Sequence, residues 1–290
     1  MLQQFGGDWT EQKLAALKKY LTAYITILSK YPFRTAYIDA FAGTGYRESQ
    51  DSHEFGPLFP ELAETESQKY LAGSARIALQ IQPPFTKYIF IEQNLQRSQE
   101  LFALPAEFPE LAERIEIINS DCNAWLQDRC LNFDWSKNRA VLFLDPFGMQ
   151  VEWTTMEAIA KTQAIDVLIL FPLGVAVNRL LRKDGEIEDG WRNRLNILFG
   201  TSDWYSAFYK EIEESNLFDS SHKVRKKTAT LKSISDYYVE RLSTIFAAVA
   251  DRPRALCNSR NNPLFHLCFA AGNPKGADTA VKIAQHILES

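Results

Sequence analysis

Five short apolar runs, rich in β-branched and aromatic residues, punctuate the first 171 positions: TAYIDAF (35–41), KYIFIE (87–92), RIEIIN (114–119), AVLFLD (140–145) and IDVLILF (165–171). Each is too short for a buried helix, and their nearly continuous apolar character suits strands covered on both faces, as in a parallel sheet. Between them, GSARIALQI, NLQRSQELFAL, CNAWLQDRCL and TTMEAIAKT have the length and composition of crossover helices. This alternation predicts a doubly wound α/β fold with a mostly parallel, Rossmann-like sheet. Ahead of the first strand, DWTEQKLAALKKYLTAYITILSK (8–30) repeats Leu14, Leu17, Leu21, Tyr24, Ile25 and Leu28 at helical spacing, which predicts a long amphipathic helix.

Two departures from the alternation divide the chain. Residues 46–72, rich in Glu, Ser, Gln and Pro, exceed an ordinary connection and read as a mobile flap or insertion. Residues 174–250 (VAVNRLLRK, WRNRLNILF, SDWYSAFYKEIEE and LKSISDYYVERLSTIFAAV) read as mostly helical. RPRALCN and FHLCFAA then return as two edge strands that pair antiparallel, followed by GNPKGADTAVKIAQHIL. The expected organisation is an N-terminal helical extension over 1–34, a seven-stranded domain from 35–173 with 251–290, and a helical lobe over 174–250 inserted in it.

In such a sheet a ligand lies outside the carboxyl ends of the strands, where strand order reverses. Four consecutive expected strands end in acids. The first ends at Asp39 and runs through Phe41 into Ala42, Gly43, Thr44 and Gly45, whose small side chains let backbone approach a ligand. The second ends at Glu92, the third is followed by Asp121 and Cys122, and the fourth ends in Asp145, Pro146, Phe147 and Gly148. The plain alternative is that each acid caps the helix that follows. As a series they fit an adenine nucleoside: Glu92 on the ribose hydroxyls, Asp121 on the adenine amino group, and Asp39 on a positively charged amino acid tail. A pyrophosphate beside Asp39 would be repelled, and GTGYRE lacks the third glycine of the dinucleotide fingerprint, which disfavours an oxidoreductase. S-adenosylmethionine is the cofactor this pattern favours. In DPFG, Asp145 can accept a hydrogen bond from an exocyclic amine and Phe147 can stack on a base, so the stretch suits methylation of a base nitrogen; a plain Pro-Phe-Gly turn is the alternative.

Taken together, KLAALKKYL, YIDAFAGTG, GSARIAL, FIEQN, NSDCN, FLDPFG, LILFPLG with the following RLL, and FHLCFAAGNPKGADTA resemble the three-Cys-motif partner (TcmP) family, within the Rossmann-like S-adenosylmethionine-dependent methyltransferases. The resemblance spans nearly the whole chain. It implies that Gly43 and Gly45 lie in the cofactor loop, Glu92 at the ribose, Asp121 at the adenine, and Asp145 to Gly148 at the catalytic motif. It further implies a partner protein bearing a three-cysteine motif, similar to radical S-adenosylmethionine proteins, and a bacterial or phage source. DPFG departs from the commoner Asp-Pro-Pro-aromatic form by lacking the second proline.

Composition narrows the partners. Net charge is −4, so a polyanion would need a local basic patch, and SSHKVRKKTATLKS (220–233) offers Lys223, Arg225, Lys226 and Lys227 in an expected polar loop, a run that can equally be solvated surface. The four cysteines and four histidines lie at spacings unsuited to a zinc site. No run of about 18 apolar residues and no basic-then-apolar start is present, so the expectation is a cytoplasmic protein without a membrane span. Two functions stand: a methyltransferase acting on DNA, RNA, a nucleoside or a protein, or a partner-binding protein that keeps the fold without transfer.

Overall fold

The computed structural model describes residues 8–42, 73–214 and 222–290. It contains the mixed, mostly parallel α/β sheet that the alternation implies. Strands β1 (Arg34–Asp39), β2 (Lys87–Ile91), β3 (Ile115–Ile118), β4 (Asn138–Leu144) and β5 (Ile165–Phe171) lie in the order β3-β2-β1-β4-β5, all parallel. All seven residues of β5 are buried, which fits a strand covered on both faces whose apolar sequence is broken only by Asp166. The crossovers are α2 (Ser74–Leu79), α3 (Leu95–Leu101), α4 (Cys122–Asn132) and α5 (Trp153–Lys161), the first two within the stretches whose composition suggested a helix and the last two each reaching one residue beyond theirs.

Beyond β5 the sheet differs from the expected seven strands. Three further strands join it, β8 (Ala248–Val249) at the very end of the expected insert, then β9 (Arg254–Cys257) and β10 (Pro263–Ala271), making eight in the sheet. β10 runs antiparallel to β5 with Cys268 opposite Ile169. At nine residues it is long enough to carry two short partners end to end, β9 against Pro263–Leu267 and β8 against Ala270–Ala271. Helix α8 (Ala277–Glu289) closes the described chain.

The inserted segment is also less helical than its sequence suggested. After α6 (Asp189–Phe199) a short helical turn ends at Phe208, and the chain continues as a two-stranded antiparallel ribbon of β6 (Tyr209–Glu214) and β7 (His222–Lys227) before α7 (Leu231–Ser243). KEIEE and KVRKK are charged on both faces and so carry no apolar alternation to mark a strand. What favours the ribbon is cross-strand pairing: Glu211 lies opposite Arg225, with Arg225 Nη2 2.9 Å from its carboxylate, while Tyr209 at the start of β6 stacks on Tyr205 of the preceding helical turn, with ring centroids 4.8 Å apart. The basic run therefore forms a strand and not a loop.

Helix α1 (Asp8–Leu28) spans about 32 Å at 1.5 Å per residue. Its buried stripe is Trp9, Lys13, Ala16, Leu17, Tyr20, Leu21, Tyr24 and Ile25. Trp9 stacks on Phe265 at 5.2 Å, Tyr20 meets Phe269 at 4.8 Å, and Tyr24 stacks on Phe85 at 6.2 Å. Phe85 precedes β2, whereas Lys13 reaches Asp145 just past β4. The helix thus runs from the carboxyl edge of the parallel strands to their amino edge, then turns into β1. Tyr20 also donates to Asp166 Oδ2 on β5 at 2.9 Å, and Asp166 Oδ1 accepts from the Gly272 N–H at 3.1 Å, tying α1, β5 and the end of β10 together.

Candidate active site at the carboxyl ends of β1 and β4

β1 and β4 are neighbours, with Asp39 opposite Phe143, yet β1 leads outward to β2 and β4 outward to β5. Strand order reverses between them, so the crevice outside their carboxyl ends is where this architecture presents a ligand site. Asp39 and the DPFG stretch sit on its two sides.

Asp39 is fully buried. Its carboxylate accepts from the Tyr37 hydroxyl at 3.1 Å, from the Phe41 N–H at 3.4 Å and from the Ser74 hydroxyl. Burial raises its pKa from 3.8 to about 6; the nearby Asp145 charge adds to the rise, while the three hydrogen bonds oppose it. Phe41 is half-buried, and Ala42 is buried with its N–H on the Ile91 carbonyl at 3.0 Å, which carries the backbone across toward β2. Gly43, Thr44, Gly45 and the 46–72 segment lie outside the described residues.

On the β4 side, Asp145 is only 9% exposed, and its Oδ2 lies 2.7 Å from Nζ of Lys13, which is fully buried and 5.1 Å from the Trp9 ring. Pro146 is buried beneath the turn, and Phe147 is 44% exposed with its N–H donating to Gln150 Oε1 at 2.8 Å. A Cβ built on Gly148 would meet nothing within 4 Å, so sterics do not demand glycine there. Asn123 braces the turn from the first residues of α4. Its amide donates to the Gln150 carbonyl at 2.9 Å, and its Oδ1 accepts from the Glu152 N–H at 3.0 Å and the Thr155 hydroxyl at 2.8 Å.

The two outer acids have local partners. Glu92, half-buried, accepts from the Asn94 N–H at 2.7 Å, just ahead of α3. Asp121 is the N-cap of α4, accepting from the Ala124 N–H at 2.9 Å, so the capping alternative holds for this residue. Cys122 is buried beside it; burial first, and the Asp121 charge second, push its thiol up to about 12, which leaves it protonated. A group of three or more His, Cys, Asp or Glu placed to hold a metal does not occur among the described residues. No described helix is long and apolar enough to cross a membrane.

Lys13 and Asn123 escaped the sequence reading. A signal for Lys13 existed: it stands four residues after Trp9 and four before Leu17, inside the apolar stripe, where a charge is costly unless paired. The expected basic cluster is divided on β7. Lys223 and Arg225 share one ribbon face and approach Glu211 at 3.9 and 2.9 Å, Lys227 turns inward to Asn178 Oδ1 at 2.6 Å, and Lys226 lies opposite Lys210. A groove of about 850 Å3 between α1 and α8, floored by Ile27, Ile283 and Ile287, includes none of the strand-end acids and is separate from the crevice.

Fold and crevice define a Rossmann-like α/β protein with an acid-lined switch point. No family model matches the sequence and no curated protein matches it, so the resemblance to the three-Cys-motif partner family rests on the motifs alone. Among solved structures, a Legionella pneumophila protein of the DUF519 family has a TM-score of 0.40 and 14% identity, covering 83% of this chain and 93% of its own. A candidate methyltransferase from Escherichia coli has a TM-score of 0.30 and 11% identity, over 73% and 87%. A candidate ribosomal RNA methylase from Clostridium thermocellum has a TM-score of 0.29 and 9% identity, over 72% and 96%.

Proposed function

We propose that the chain is an S-adenosylmethionine-dependent methyltransferase acting on an amino nitrogen of a nucleic-acid base or nucleoside, together with a three-Cys-motif protein. The observation that carries this reading is the placement of Asp39 and Asp145 on the two sides of the switch point, with the exposed ring of Phe147 beside them. The donor set fits a cationic ligand. Asp39 is a buried carboxylate held by neutral donors, and it would gain most from a positive charge such as the amino group of an amino acid tail. S-adenosylmethionine would supply a methyl group on a positively charged sulfur, already activated for transfer. Under this reading Glu92 would take the ribose hydroxyls, and Asp121, besides capping α4, the adenine edge. Asp145 would accept an N–H from the acceptor amine and hold its lone pair forward, and Phe147 would stack on the base, so that positioning supplies much of the rate.

The chief test is tritiated methyl transfer to pooled DNA, RNA and nucleosides, with and without a three-cysteine partner, in wild type and Asp145→Ala. Asp145→Ala is expected to abolish transfer while leaving S-adenosylhomocysteine affinity near wild type; transfer that survives the substitution removes Asp145 from the mechanism. A second reading, a partner-binding protein of the same fold without transfer, is favoured by the local employment of the acids: Asp145 on Lys13, Asp121 on Ala124 and Glu92 on Asn94. Under that reading no acceptor is methylated and Asp145→Ala changes stability alone.

A further inference from the structure

A helix that needs only an apolar stripe is served by Leu or Met at every inward position. At Lys13, α1 instead buries an ammonium completely and sets it 2.7 Å from Asp145 Oδ2, under the Trp9 ring. Stripping both charges of water is unfavourable, and replacing such a pair by packed apolar residues is often neutral or stabilising, so the pair is poorly explained as a stability device. The groups that face Asp145 suggest another purpose. They are Lys13 from α1, and Tyr37 and Asp39 from β1, both close enough to feel its charge. Without the ammonium, two carboxylates would share one buried crevice, where like charges drive one of them to keep its proton.

We propose that Lys13 is a positioning residue of the DPFG site: by holding Oδ2 it fixes the orientation of the Asp145 carboxylate and maintains its charge beside Asp39, leaving Oδ1 for the acceptor. The acceptor's identity rests on the methyl-transfer reading, whereas the charge lock between α1 and the β4 turn does not.

The test uses the full chain labelled with 13C at aspartate carboxyls, the Asp145 signal being assigned with Asp145→Asn. Wild type, Lys13→Met and Lys13→Arg are titrated, and kcat/KM for methyl transfer is followed against pH in parallel. In Lys13→Met the Asp145 midpoint should rise, the effect of losing an opposite charge 2.7 Å away, and Lys13→Arg should restore most of it. The acid limb of kcat/KM should move with the midpoint. If Lys13→Met gives no cooperative thermal melt, Lys13→Gln is measured in its place, because it keeps a donor for Oδ2 and removes the charge. An Asp145 midpoint that ignores the loss of the ammonium overturns the proposal. So does an acid limb that stays put while the midpoint moves, since Lys13 would then be structural only. A wild type that methylates nothing, yet whose Asp145 midpoint follows Lys13, sinks the transfer reading and supports the lock.

Discussion

Asp39 and Asp145 flank one crevice but live in different electrostatic company: neutral donors around the first, a buried ammonium on the second. Asp39, raised from 3.8 to about 6, holds its proton more tightly when folded than when unfolded. Its contribution to stability is therefore present below about pH 4 and is lost as pH rises through about 6, a change of about 3 kcal/mol for a shift of this size. Asp166, also raised to about 6 by burial, adds a parallel loss. Attraction for a cationic ligand has the opposite sign, because only the ionised form provides it. S-adenosylmethionine affinity measured by calorimetry should fall as pH drops below about 6, and Asp39→Asn should flatten that dependence while weakening binding at neutral pH; an undiminished affinity at acid pH in wild type would remove Asp39 from the ligand site. Asp39, Glu92 and Asp145 were legible because each stands at the end of an apolar run, and Asp121 because it opens the next helix. Lys13 was harder to read, since its partner lies 132 positions away and spacing within α1 says only that a charge faces inward.

The elements divide by whether local sequence or distant contact decides them. α4 is announced by its own residues: Asp121 accepts from the Ala124 N–H and the helix begins there. The β6–β7 ribbon is not, because Lys, Glu and Arg alternate without an apolar face, and pairing across two strands settles what propensity leaves undecided. The end of α6 lies between these cases. Gly200 follows Phe199 with φ of 68°, the left-handed cap that glycine favours, and a Cβ there would come within 2.0 Å of the Trp153 ring on α5. The cap was readable in NILFG, the contact with α5 was not. Gly200→Ala should lower stability by about 2 to 4 kcal/mol, from left-handed backbone strain together with overpacking against a buried indole. Urea unfolding should show a lower midpoint with an unchanged slope, and a midpoint equal to wild type would mean that Trp153 swings aside without cost.

For the whole molecule, the parallel half of the sheet was legible because strands buried on both faces must be nearly continuous in apolar residues, as β5 is but for Asp166. The antiparallel edge was legible only as two strands; that β10 carries both β8 and β9 depends on its length and on where the chain returns. A ligand held at the switch point binds the folded state alone, so it stabilises the whole chain. At about a hundredfold excess over Kd that is about 2.7 kcal/mol, or about 5 °C in melting temperature for a chain of this size. Scanning calorimetry should show this with S-adenosylmethionine or S-adenosylhomocysteine and not with NAD; the reverse preference would make the crevice a dinucleotide site. The course of α1 from one edge of the sheet to the other has a consequence for the newborn chain. Its helix is made before the strands it covers, and Lys13 waits 132 residues for Asp145 and Tyr20 waits 146 for Asp166. At typical rates of protein synthesis that is roughly 7 to 30 s during which a charged, aromatic stripe has no partner. Docking of α1 is thus a late event of synthesis, and the crevice receives its ammonium only after β4 has been made.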